Sequence, residues 1–231
     1  MPRPIFIALL ATSLIPAAAS AQSEPTRSAP QAQPILRTTP EARDIAWTAG
    51  TMQLEDDATD TARRILRVKQ TIPVWTSGPL TLLFPQWLPG KHAPRGGIEK
   101  LAGLVFTADG KTISWDRDPL DVYAFHLSVP AGTKAIVATF QFLAPAATNQ
   151  GRIIFTSSLL NLQWQSVSLY PTGFYTRRIP IQASVTLPEG WTAATALKST
   201  QTGATVAYEA TDYDTLVGTP LFAGRHSRPI A

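Results

Sequence analysis

The chain's whole supply of imidazole is His92, His126 and His226. A hydrolytic zinc site needs His and carboxylate side chains converging on one ion, commonly two His a helical turn apart with a Glu between them. These three are far apart in sequence and no HExxH segment occurs, so the fold alone would have to assemble a metal site from His92 and His126. The chain has no cysteine, which excludes thiolate zinc sites, cysteine nucleophiles, iron–sulfur clusters and disulfides. Ser157 and Ser158 lie in no G-x-S-x-G elbow, and Gly96-Gly97 after Arg95 lacks the Lys and further glycines of a phosphate loop. Asp116, Asp118 and Asp121 in "WDRDPLD" could ligate calcium or act as an acid–base pair. A solvated turn set by Pro119, its charge partly offset by Arg117, is the plainer reading, and the acidic "EDDATD" at 55–60 reads as a solvated loop. No residue is therefore named as catalytic or metal-binding.

Aromatic side chains are the remaining chemical resource. Trp75, Trp87, Trp115, Trp164 and Trp191, with Tyr123, Tyr170 and Tyr175, could stack on sugars or line a peptide groove, although aromatics in a β-fold are more often core. Trp87 stands apart. In "LLFPQWLPGKHAPRGG", residues 82–97, it is bracketed by Pro85, Pro89 and Gly90 in what must be a loop, with His92 and Arg95 following. Trp87, Pro89, Gly90, His92, Arg95 and Tyr123 are the candidate binding or interface residues, His92 and Arg95 facing a peptide carboxylate or a partner surface.

The elements that position this loop are strands. In "LRVKQTIPV" the residues Leu66, Val68, Ile72 and Val74 share one face, interrupted by Gln70, while Arg67, Lys69 and Thr71 share the other. "PLTLLF", "DVYAFHLSV", "AIVATFQFL" and "RIPIQASVTL" repeat this period of two, and Asp109-Gly110 between apolar runs signals a hairpin. Twenty prolines and fourteen glycines, spread between the runs, break any long helix. The pattern predicts an all-β fold, an antiparallel β-sandwich forming a single domain over 46–225. Residues 152–170 could hold a strand pair or a helical turn.

The ends have a different character. "MPRPIFIALLATSLIPAAASA" has one Arg, an apolar run and a small-residue cleavage triplet, the order of a secretory signal peptide over 1–21. The run is shorter than the ~20 residues of a spanning helix, so an exported chain, periplasmic or extracellular, with no membrane span after cleavage is expected. Residues 22–45, rich in Pro, Ser and Gln, read as a flexible leader, and 226–231 as a tail. The formal charge of +4 is scattered, with no basic stripe interleaved with aromatics, which argues against nucleic acid as a partner.

With "FPQWLPG" at 84–90, "GLVFTADGKTISWDRDPLDVYAFHLSVPAG" at 103–132 and "VSLYPTGFYTRRIPIQASVTLPEGW" at 167–191 in order, the chain resembles the N-terminal domain of the glycyl aminopeptidase family, metallopeptidase family sixty-one. Asp121, Tyr123 and Phe125 supply that family's D-x-Y-x-F strand, and His92 stands where the family usually has an aromatic. The resemblance implies a β-sandwich that packs against a thermolysin-like zinc domain and shapes a peptide cleft. The HExxH helix and the zinc would belong to that catalytic domain, so no cofactor is expected in this chain and no catalytic residue carries over. A separate zinc-peptidase chain and a peptide ligand are the implied partners. The alternative is a free-standing secreted module that binds peptide or carbohydrate.

Overall fold

The computed structural model describes residues 39–88, 90–146 and 154–226. The expected signal peptide, residues 22–38 of the leader, Pro89 and residues 227–231 of the tail lie outside the described residues. In chain order the strands are β1 (Met52–Asp60), β2 (Ile65–Pro73), β3 (Gly78–Leu83), β4 (Leu101–Ala108), β5 (Lys111–Ile113), β6 (Trp115–Arg117), β7 (Ala124–Val129), β8 (Ala135–Leu143), β9 (Ile154–Phe155), β10 (Leu159–Leu162), β11 (Tyr170–Pro171), β12 (Pro180–Thr186), β13 (Thr192–Ala194), β14 (Ser199–Gln201), β15 (Thr205–Tyr208), β16 (Thr211–Asp212) and β17 (Leu221–Gly224). One short helix, α1 (Tyr213–Gly218), and 3-10 turns at Ile98–Lys100, Trp164–Ser166 and Thr176–Arg178 complete the described elements. The region after Arg152 thus holds both of the alternatives read from its sequence, a strand pair and then a helical turn.

The fold is an all-β sandwich. A nine-stranded sheet runs β14-β15-β12-β1-β2-β8-β4-β5, with β16 beside β12. Two four-stranded sheets, β13-β17-β10-β9 and β11-β3-β7-β6, accompany it. Asp109 and Gly110 both have positive φ and join β4 to β5 as a two-residue hairpin, which only such left-handed residues permit. Among the described strands pairing is antiparallel except between β1 and β12, which run parallel from Met52 opposite Ile181 to Asp57 opposite Thr186. A long excursion through both smaller sheets separates these two strands, so no hairpin constrains their direction.

Register turns the period of two into a core. Leu54 stands opposite Ala183 on one side and Gln70 on the other, Gln70 opposite Ala138, and Ala138 opposite Phe106. Every member of that row is buried, as pairing of same-face residues requires. Gln70 interrupts the apolar pattern for a reason. Its Nε2 donates to the Leu169 carbonyl at 2.7 Å, and its Oε1 accepts from the Leu169 N–H at 2.8 Å. The side chain thereby clasps the nine-stranded sheet to the segment that enters β11. Next to it, Ser168 Oγ donates to the Trp164 carbonyl and lies 2.8 Å from the Tyr213 hydroxyl.

The stretch "EDDATD" is a strand and not the solvated loop its charge suggested. Met52, Leu54, Asp56 and Ala58 face the core, while Glu55 points outward and pairs with Lys69 at 2.8 Å. Asp56 is 2% exposed, and neither carboxylate oxygen has a hydrogen-bond partner. Burial, with Asp57 a lesser cause, raises its pKa well above the carboxylate range, which favours the neutral form.

Ordered contacts begin before β1. Arg43 bridges to Phe174 in parallel, and Asp44 accepts from the guanidinium groups of Arg177 and Arg178, which hold its carboxyl below the usual range. Trp47 packs against Trp75 and Phe174, with ring centroids 4.6 and 5.1 Å away.

Two predictions follow from the buried polar groups. Gln70→Leu strands the Leu169 N–H and carbonyl without partners and should lower stability by about 2–4 kcal/mol in urea unfolding. Asp56→Val removes a desolvated carboxyl and should raise stability at neutral pH by about 1–3 kcal/mol. In the parent chain the unfolded state releases this proton above the ordinary carboxylate pKa of about 4 while the folded state keeps it, so stability falls as pH rises from there toward the folded pKa. The difference between parent and Asp56→Val thermal midpoints should therefore grow from pH 4 to pH 7.

Candidate functional site

The loop between β3 and the 3-10 turn at Ile98 is a finger with a closed base. At its root Phe84, buried in the core, donates its N–H to the Tyr123 carbonyl at 2.9 Å. The Gln86 carbonyl accepts from both Arg95 N–H at 2.7 Å and Gly96 N–H at 3.0 Å, which brings the two limbs together. At the tip Lys91 N–H returns to the Leu88 carbonyl at 3.0 Å, and Gly90 adopts φ +71°. The left-handed backbone at Gly90, one residue before the closing donor, is one that glycine adopts at no steric cost.

Gly96 is fixed by space and not by its dihedrals. A Cβ there would stand 2.0 Å from the Pro85 carbonyl oxygen, so the limbs can approach this closely only at glycine. Tyr123 seals the same point, its hydroxyl donating to the Gly96 carbonyl at 3.1 Å. Burial raises the Tyr123 pKa, with Glu99 and Asp121 adding to the effect and Arg95 opposing it.

Of the residues singled out from sequence, the structure gathers Trp87, Gly90, His92 and Arg95 on the finger and joins Tyr123 to its base. Pro89 is outside the described residues. Trp87 is 61% exposed, and Lys91, His92 and Arg95 are also exposed. The loop therefore presents an indole, the basic side chains of Lys91 and Arg95 and the His92 ring to solvent.

Sequence reasoning missed the residues that hold the neighbouring loop. Asp118, read as part of a solvated turn, is buried. Its Oδ1 accepts from Leu120 N–H at 2.8 Å and Asp121 N–H at 2.9 Å, and its Oδ2 lies 2.8 Å from His126 Nε2. His126 Nδ1 in turn lies 2.9 Å from Thr81 Oγ1, the residue opposite it on β3. Arg117 donates to the Val122 carbonyl and stacks on the Phe125 ring. The D-P-L-D spacing, which lets an Asp side chain cap the two N–H groups that follow, was the available signal. The loop so held leaves Leu120 and Val122 exposed. Both ring nitrogens of His126 are engaged, and among the described residues no group of three or more His, Cys, Asp or Glu side chains converges as a metal site would require.

Residues 53–225, from β1 through the end of β17, match the peptidase M61 N-terminal domain. The chain belongs to this family. No curated protein matches it. Among solved structures it is similar to an aminopeptidase N family protein from Idiomarina loihiensis, with 16% identity and a TM-score of 0.63 over 75% of this chain and 29% of that one. An M1 zinc metallopeptidase from Deinococcus radiodurans aligns at 10% identity and a TM-score of 0.43, over 78% of this chain and 42% of that one. The chain thus spans less than half the length of these solved structures. Among the described residues no helix is long and apolar enough to cross a membrane.

Gly96→Ala should destabilise the domain by about 1–3 kcal/mol, because the atom in the way is backbone and cannot swing aside. At Gly97 the nearest neighbour to an added Cβ is the Lys100 side chain at 3.5 Å. Gly97→Ala should therefore stay within about 0.5 kcal/mol of the parent in chemical unfolding.

Proposed function

We propose that this sandwich is the non-catalytic N-terminal domain of an exported zinc aminopeptidase, packing against a zinc domain and shaping one side of its peptide cleft. The observation that carries the reading is a group of exposed apolar side chains, Phe222, Ile154 and Leu159, around Asn161 on sheet β13-β17-β10-β9. Phe222 stands opposite Asn161 and Ala194, and Ile154 stands opposite Asn161, so one row crosses all four strands. Phe222 and Ile154 are about half exposed, and Leu159 beside them is 44% exposed. Apolar side chains held on a regular sheet, and not scattered singly, mark a surface built for a partner. Support also comes from the 29% share of the Idiomarina structure that this fold accounts for, which leaves room there for further domains.

In this reading the zinc ion belongs to the partner, whether that partner continues the same polypeptide or is a second chain. The finger contributes Trp87 as an apolar contact, and His92 with Arg95 as donors to a carboxylate at the cleft edge. Export follows from the apolar, small-residue N-terminus of residues 1–21.

The test is native mass spectrometry of the protein purified from its own host, with metal analysis and hydrolysis of an aminoacyl p-nitroanilide measured on the same fraction. The expected species contains this sandwich, zinc and aminopeptidase activity, and Phe222→Glu should dissociate or inactivate it. A lone, zinc-free sandwich in the native host would overturn the reading in favour of an independent binding module.

A further inference from the structure

The outer face of the nine-stranded sheet carries a trough that involves neither the finger nor the Phe222 group. Alternation sends Glu55 and Asp57 of β1, Arg67 and Lys69 of β2, and Thr139 and Gln141 of β8 to that face. Register sorts them into two rows that run across the strands. In one, Glu55 stands opposite Lys69, and Lys69 opposite Thr139. In the other, Thr186 stands opposite Asp57, Asp57 opposite Arg67, and Arg67 opposite Gln141. The row between them, Asp56, Val68 and Phe140, turns its side chains into the core, so backbone forms the floor. A cleft of about 420 Å³ lies between the two walls, within the usual range for ligand sites.

The far end of the trough is open. Gly103 sits where the register of β4 slips between Ala102 and Val105, with φ +64°, and a Cβ there would meet nothing within 4 Å. From Thr186 on β12 to Gly103 on β4 the trough crosses five adjacent strands, a span of about 19 Å. An extended ligand fits such a channel better than a compact one.

The walls restrict its chemistry. Glu55 and Asp57 balance Arg67 and Lys69, so a ligand with charge of one sign would be repelled by one pair as it was drawn to the other. Val68 and Phe140, the large apolar residues of the lining, are each 3% exposed and offer no pocket to a lipid tail or an aliphatic side chain. The walls offer donors and acceptors side by side instead. Lys69 Nζ lies 2.8 Å from Glu55 Oε1, with both side chains about half exposed, and Thr139 and Gln141 add a hydroxyl and an amide. A hydroxyl group both donates and accepts. Neighbouring sugar hydroxyls therefore match this wall, one accepting from an ammonium or amide N–H while the next donates to a carboxylate.

We propose that this trough binds an uncharged, extended glycan, laid across the strands with its hydroxyl groups bonded to the two rows. A β-1,4-linked chain has the ribbon shape this requires, whereas an α-1,4-linked chain coils. The site shares no residue with the finger or with the Phe222 group, so its failure would leave the zinc-domain reading standing, and the reverse holds as well.

The experiment titrates cellotetraose into the isotopically labelled full chain. The Gly103 backbone amide and the Gln141 side-chain amide resonances should shift saturably, with an affinity that added salt leaves within about twofold because the ligand is uncharged. Gln141→Ala should weaken binding about 3- to 10-fold. The double variant Glu55→Met with Lys69→Met removes an acceptor and a donor together while keeping the unbranched stems, and should weaken it further. Resonances unmoved at tens of millimolar cellotetraose would overturn the proposal, as would equal affinity in the parent and both variants. Equal binding of maltotetraose would count against an extended chain, and tighter binding of tetragalacturonate would make charge the property recognised; either result rejects the assignment. Shifts that follow protein concentration without sugar would reject it too, giving this face to a second copy of the chain.

Discussion

The clasp between Gln70 and Leu169 is the contact on which the layering depends. Leu169 lies where the chain leaves β10 and its 3-10 turn in one small sheet and enters β11 in the other. Fixing that single residue onto the middle of the nine-stranded sheet therefore sets the placement of both smaller sheets at once. The two bonds are made in a dry interior, where an amide that lost its partner would be costly, so the arrangement tolerates no sliding. Ser168 and Tyr213 extend the same device to α1, which follows β16 at the side of β12. A core of Leu, Ile and Phe alone would supply burial without specifying how far each small sheet is shifted along the large one.

Much of this architecture was legible from alternation, because the apolar faces of β2, β3, β7, β8 and β12 follow the period of two without regard to tertiary context. The reading failed where a polar side chain was recruited inward. Gln70 looked like a flaw in an apolar face and is its most constrained member. "EDDATD" looked solvated because four of its six residues are acidic, yet the alternation of Met52, Leu54, Asp56 and Ala58 governs where each points. Composition describes a segment, whereas periodicity describes its two faces, and in β1 the faces differ. The parallel pairing of β1 with β12 has no local signal at all, since nothing in either strand records the partner's direction.

The candidate site shows a similar division. The bracketing of Trp87 by prolines and Gly90 made the finger visible as a loop, and the turn closed by Lys91 agrees with that chemistry. What makes the finger ordered was hidden, because the decisive partners are distant or belong to the backbone: the Gln86 carbonyl that gathers Arg95 and Gly96, the Tyr123 hydroxyl on Gly96, and the buried Asp118 that stiffens the adjoining loop through His126 and Thr81. An exposed indole on a mobile loop loses conformational freedom when it meets a surface. On a braced loop most of that loss has already occurred, and the contact is correspondingly stronger.

The parallel pairing of β1 and β12 also bears on how the molecule comes into being. β1 is flanked by β2 almost immediately, but its other side must wait for β12, after both small sheets have been traversed. During synthesis from the N-terminus, an internal strand thus behaves for most of that time as an unprotected margin, and closure requires one of the longest loops in the domain. Once β2 has paired, Lys69 meets Glu55 and Arg67 meets Asp60, so much of the acidity of β1 is offset while its other margin still waits. The register that β12 finally takes is then set by the inward face of Met52, Leu54, Asp56 and Ala58, since a slip of one residue would turn that face to solvent.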